Sequence, residues 1–294
     1  YTDGSKVYNR NHQIMPNGEG LLGNTSSAQS AIIVPKPLDS NIYYIFTVGH
    51  QTSPHGIKLS VVDMRLDNGM GDLSNKNLSL ETQTGDEESV AKEKITSIKG
   101  KECNTFWVIT SNRNSFYSFK IDKDGVNFDG VRSEHDGEDK TPDEPLEDLK
   151  GHLKISPDGK TLVSANATSG TFLFDFNDEN GKVTNRKLII PTLMGINGYG
   201  IEFSRDSKKL YVSTGHHSQL DNATNIRPNP GTAKIYQFNL TLGNTTDIIS
   251  SRKEIYSTNS GYRGALQLAS NGKIYYATIT NTAGCESVLR LEVT

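Results

Sequence analysis

Three observations predict an all-β chain folded as a β-propeller of four-stranded antiparallel blades. The first is an internal repeat: the stretch Tyr199 to Thr214 has relatives at Gly151 to Ser164 and at Arg263 to Ala277. Each copy is a short apolar alternation, a Ser/Asp/Asn/Gly turn, and a second alternation of Val, Ile, Leu and Tyr, the pattern of two antiparallel strands joined by a tight turn. The second is spacing, since units of a few strands at periods of roughly 40–60 residues are propeller blades. The third is composition: 27 Gly, 8% aromatics and only 34% hydrophobic residues suit many short strands with many turns.

The elements follow in order. Tyr1 to Tyr8 reads as the middle hairpin of a blade whose inner strand is missing. Inner strands are expected at Ala31–Pro35, Ile95–Ile98, Leu153–Ser156, Ile201–Ser204 and Ala265–Ala269, with second strands at Tyr43–Thr47 and Thr105–Thr110 in the weaker copies. Further strand runs occur at Thr171–Phe176, Lys187–Ile190 and Ala233–Asn239. Ser287–Val293 reads as the third strand of a last blade without its outermost strand. The expected organisation is a single domain: a partial blade at 1–30, blades at 31–90, 91–150, 151–197 and 198–262, and a partial blade at 263–294. Because a propeller closes to hide its strand edges, the natural protein is expected to continue at both ends, with seven blades when complete and about six represented here. Asp86–Lys94 could form a turn or two of helix. Trp107, Phe106, Phe172, Phe174, Phe203, Tyr211 and Phe238 lie in strand runs and are expected in the cores between blades.

Charge and cysteine content narrow the function. A net charge of −3 without a basic stripe argues against a nucleic-acid partner. No window approaches the roughly 18 consecutive apolar residues of a membrane span. Cys103 and Cys285 fall in different blades and read as free thiols. Glu134 to Asp148 holds eight acidic residues against one Lys, so calcium is the one cation considered, although such clusters are usually solvated faces. Asp122 to Gly130 resembles a calcium loop, but Val126 stands at its fifth position and no Glu closes it, leaving a hairpin turn. His216 and His217 open the longest loop, running to Gly231, where a metal would need ligands such as His50 or His152 from other blades. There is no Gly-x-Ser-x-Gly elbow, phosphate loop or His-Glu-x-x-His.

Tyr1-Thr-Asp-Gly, Asn9 to Gly18, Leu21-Leu-Gly-Asn24 and Ser27 to Pro37 together resemble a specific group, and the likeness continues through Glu93-Lys-Ile-Thr, Phe106 to Thr110, Leu153 to Gly159, Leu173 to Phe176, Tyr199 to Ser204 and Ala265 to Leu268. The chain is similar to the propeller region of large cell-surface proteins of flavobacterial Bacteroidetes, of the gliding-motility-associated type. The resemblance implies a secreted or surface location and export by the type IX secretion machinery through a sorting domain that this sequence does not show.

Propeller geometry selects the candidate site. Residues just before each inner strand and just after each second strand meet at one mouth of the central channel. The entry positions are Gln29, Lys94, His152, Tyr199 and Arg263, and the exit positions are His50, Asn112, Asn166, His216 and Thr278. Their polar and aromatic character suits a sugar or small molecule. From this we expect a non-catalytic recognition or adhesion module, without cofactor, that binds an extracellular glycan or surface protein on that face. The alternatives are a lactonase- or hydrolase-like propeller enzyme and a structural spacer.

Overall fold

A computed structural model describes residues 1–80, 91–112, 114–135, 149–167, 169–191, 197–215, 233–258, 261–280 and 286–291. Most of the described residues lie in strands, in successive antiparallel sheets of the propeller-blade type. Strands β1 (Lys6–Tyr8) and β2 (Ile14–Glu19) form a hairpin by themselves. Then come, in chain order, a four-stranded meander of β3 (Ala31–Pro35), β4 (Ile42–Thr47), β5 (Lys58–Asp63) and β6 (Asp72–Ser79), and a five-stranded sheet of β7 (Ile95–Lys99), β8 (Phe106–Ser111) and β9 (Ser115–Asp122), to which β10 (Gly125–Val126) and β11 (Val131–Glu134) both pair. The four-stranded meander repeats in β12 (Leu153–Ile155), β13 (Thr161–Asn166), β14 (Gly170–Phe176) and β15 (Val183–Ile190), and in β16 (Asn197–Phe203), β17 (Lys209–Gly215), β18 (Ala233–Asn239) and β19 (Lys253–Thr258). Three strands, β20 (Gly261–Leu268), β21 (Ile274–Thr280) and β22 (Glu286–Leu291), complete the described sheets.

The repeat has the expected cause. In each of its copies the polar turn closes a short antiparallel register: Leu153 faces Ser164 and Ile155 faces Leu162, Ile201 faces Val212, and Ala265 faces Ala277. The turns hold themselves. Ser156 Oγ donates to Asp158 Oδ1 at 2.6 Å, and Ser204 Oγ donates to Asp206 Oδ1 at the same distance. Asp122 Oδ1 accepts the Asp124 N–H at 2.9 Å, so the calcium-like stretch is indeed a hairpin turn.

Two compact units emerge. One comprises Tyr1–Glu138 and Asp175–Thr184, the other Asp139–Phe174 and Asn185–Thr294. In the first, Tyr44, Phe46, Ile95, Val108, Tyr117 and Phe119 form the main core, and Val7, Met15, Ile45 and Val62 a smaller one under the β1–β2 hairpin. Trp107 donates its indole N–H to the Asp178 carbonyl at 2.8 Å and meets Phe176 edge-on. In the second unit Leu173, Ile201, Phe203, Leu210, Val212 and Phe238 make one core, and Tyr211, Leu266, Ile274 and Tyr276 another. Trp107, Phe172, Phe174, Phe203, Tyr211 and Phe238 are all buried. Phe106 is only half-buried, at the margin of its core.

Of the helical turn expected at Asp86–Lys94, residues 86–90 lie outside the described residues, and Ala91 to Lys94 are not helical. Among the described residues an α-helix occurs at α1 (Thr245–Ser250), where the Asn244 side chain accepts the Asp247 N–H at 2.9 Å and caps the first turn. Cys103 is exposed and free; Cys285 lies outside the described residues. Among the described residues no helix is long and apolar enough to cross a membrane.

Burial, with Asp206 adding a smaller push, raises the Tyr211 phenol from its ordinary 10.0 to about 12. An unfolded tyrosine ionises near 10, whereas the folded one keeps its proton until about 12. Its contribution to stability is therefore complete below pH 10 and is lost as pH rises to 12. The melting temperature should fall across that window, and Tyr211→Phe should flatten the fall; an identical slope in the variant would show that other groups cause it.

Candidate functional site

In the first unit the structure brings two predicted positions, Gln29 and Lys94, to a residue that the ring geometry passed over. Glu93, just before β7, is 2% exposed and sits at φ +68, a left-handed conformation that a non-glycine residue adopts at a cost of roughly 1 kcal/mol or more. Its Oε2 accepts the Ala28 N–H at 3.0 Å and its Oε1 the Gln51 N–H at 2.8 Å. Its backbone does the same work, since Gln29 donates to the Glu93 carbonyl and Glu93 donates to Gly49, each at 2.8 Å. One carboxylate thus ties the entry of β3 to the exit of β4. Lys94, beside it, is fully buried, and its carbonyl accepts Thr110 Oγ1 at 2.8 Å.

The other two positions in this unit serve their own turns. Asn112, 3% exposed, accepts the N–H groups of Asn114 and Ser115 at 2.9 and 2.8 Å and donates to the Tyr117 hydroxyl at 3.2 Å. His50 is half-buried and its Nδ1 lies 3.3 Å from both the amide and the hydroxyl of Thr52.

In the second unit the structure brings together His152, Tyr199 and Asn166. His152 precedes β12, and its N–H donates to the Tyr199 carbonyl at 2.8 Å, joining neighbouring inner strands; its own carbonyl accepts the Ala165 N–H at 2.9 Å. The His152 and Tyr199 rings lie 5.4 Å apart at 51°. Asn166, at the end of β13, accepts Ser164 Oγ at 3.3 Å beside them. His152 is 7% exposed and is the one buried histidine among the described residues: His12 is exposed, and His50, His55 and His135 are half-buried.

The remaining predicted positions fall where less is described. His216, His217 and their loop to Gly231 lie outside the described residues, as does the acidic stretch beyond His135. Arg263 and Thr278 are placed in β20 and β21, their side chains outside the described residues. Among the described residues no group of three or more His, Cys, Asp or Glu could hold a metal ion. Glu93 could have been suspected from the sequence as the only carboxylate directly flanking a predicted entry position.

No protein-family model matches the chain, and no curated protein matches it. Solved structures do. The chain is similar to the periplasmic gluconolactonase of Pseudomonas aeruginosa at 9% identity, with 88% of this chain and 69% of that one covered and a TM-score of 0.48. It is also similar to the xylan β-1,4-xylosidase of Bacillus halodurans at 14% identity, with 93% and 55% covered and a TM-score of 0.46. A protein of Bacteroides uniformis, provisionally named a 6-phosphogluconolactonase, matches at 13% identity over 96% and 89%, with a TM-score of 0.43. These findings overturn the expectation of a non-catalytic recognition module without enzymatic activity.

Proposed function

We propose that this chain is a hydrolase that opens a sugar lactone, with His152 as the base that activates water. The observation that carries the reading is the His152 imidazole, buried at the start of an inner strand and set against Tyr199. Histidine is the side chain that ordinarily changes charge near neutral pH, so it can take a proton from water and return it. In lactone hydrolysis the water oxygen attacks the ring carbonyl, its proton passes to the imidazole, and the ring C–O bond then breaks with the proton delivered to the departing oxygen. Tyr199 walls the site, and Ser164 and Asn166 offer polar contacts to sugar hydroxyls.

The residues at this mouth favour a lactone over a glycoside. Glycosidic cleavage ordinarily uses a pair of carboxyl groups, and His152, Tyr199, Ser164 and Asn166 include none. An activated ester needs only a base and a polarised carbonyl.

The test is the consumption of glucono-δ-lactone, followed against its spontaneous hydrolysis, beside a panel of nitrophenyl glycosides. Lactone turnover should exceed the background and fall roughly 100-fold or more in His152→Ala. No turnover above background, or a His152→Ala protein as active as the parent, would overturn the assignment.

We further propose that the chain lies outside the cytoplasm, as part of a surface protein exported by the type IX machinery. Support comes from its resemblance to the propeller region of flavobacterial surface proteins. Antibody labelling of intact cells, with and without that secretion system, checks this: surface signal independent of the system would reject the route.

A further inference from the structure

In the second unit, Tyr199 stands between two glycines whose places admit no side chain. A Cβ at position 198 would run into Thr171 Oγ1, and a Cβ at position 200 into the Gly264 carbonyl, with Ser213 Oγ 2.8 Å away. Both glycines are buried. Gly198 faces Thr214 and Ile201 faces Val212, a step of three residues on β16 against two on β17, so Tyr199 stands in a β-bulge. Bulges re-aim a side chain, and they concentrate next to active sites.

The bulge is held from both flanks. Gly200 donates its N–H to Ser213 Oγ at 2.9 Å, and that hydroxyl donates to the Gly264 carbonyl, which closes the side toward β20. On the other flank Thr171, at the start of β14, is fully buried, and its hydroxyl has no hydrogen-bond partner among the described residues. An unpaired buried hydroxyl is a cost to the fold, and this one is set against Gly198. Between these contacts Tyr199 holds its ring 5.4 Å from the His152 imidazole and accepts the His152 N–H on its carbonyl. We propose that Tyr199 is a positioning residue for the His152 imidazole, and that Thr171 and Gly264, each pressed on a glycine, set where its ring stands. The catalytic consequence rests on the reading of His152 as the base.

The test follows the His152 ring resonances of the intact chain by NMR, assigned by their absence from His152→Ala, beside kcat and KM for glucono-δ-lactone. Gly198→Ala should displace the His152 resonances and lower kcat about tenfold or more with KM changed less, because a misplacement near 1 Å at a reacting group is enough for such a loss. Adding Thr171→Ala opens the space that the new methyl needs and should restore both. Melting curves show which variants are folded; should Gly198→Ala fail to fold, Tyr199→Leu decides, with displaced His152 resonances expected. Parental resonances in folded Gly198→Ala or in Tyr199→Leu, a parental kcat in folded Gly198→Ala, or a Gly198→Ala/Thr171→Ala double variant as displaced as Gly198→Ala would each overturn the proposal. A parent chain without lactone turnover would remove the lactonase reading, and the resonances would still judge the placement of Tyr199.

Discussion

Phe203→Ala should destabilise the chain by about 3–5 kcal/mol, seen as a lower denaturant midpoint with an unchanged slope. Phe203 is fully buried, on β16 in the core that also holds Leu173, Leu210, Val212 and Phe238. Truncation removes the transfer free energy of the ring and leaves a cavity that rigid strands on both sides cannot close. Phe106→Ala should cost clearly less, because that ring is only half-buried. Equal losses for the two variants would show that burial does not govern these cores.

Lys154→Met should be strongly destabilising. Lys154 Nζ lies 2.8 Å from Glu202 Oε2, and the Glu202 side chain is 2% exposed. That carboxylate also accepts the N–H groups of Phe203 at 2.9 Å and Leu268 at 2.7 Å, so it holds an inner strand to its neighbour. Removing the ammonium strands a buried charge, which costs about 3–5 kcal/mol in such pairs, with the two backbone bonds keeping the loss near the lower figure. Adding Glu202→Gln to Lys154→Met should recover part of that loss by removing the charge while preserving the shape. A double variant less stable than Lys154→Met would show that the carboxylate matters for its backbone bonds and not for its charge.

Strand positions were legible because the signal is local. At Leu153–Ile155 the two-residue alternation states which side chains face the core, at Lys209–Gly215 the apolar run marks a strand buried on both faces, and the Ser/Asp/Gly turns between strands state where the chain reverses. The six-residue helix at Thr245–Ser250 was missed although Asn244 and Asp247 spell out its cap, because its length is too short for a helical period to register.

The site was legible only in part. Residues before an inner strand could be named, so His152 and Tyr199 were placed at one mouth, and they do meet. What the alternation could not say is how neighbouring blades join there. That Glu93 bends into a left-handed conformation and links Ala28 to Gln51, residues 65 and 42 positions away, depends on contacts between sheets distant in sequence. That Asn112 turns inward to serve its own loop depends on the hydrogen-bond demand of the buried Ser115, and of Asn114 beside it in the turn. The sequence by itself determined the strands, their faces and their turns, all of which follow from periodicity along the chain. Which polar groups point at a ligand and which satisfy the backbone was decided only by tertiary structure, because burial turns each unpaired N–H into a cost that a nearby side chain must meet.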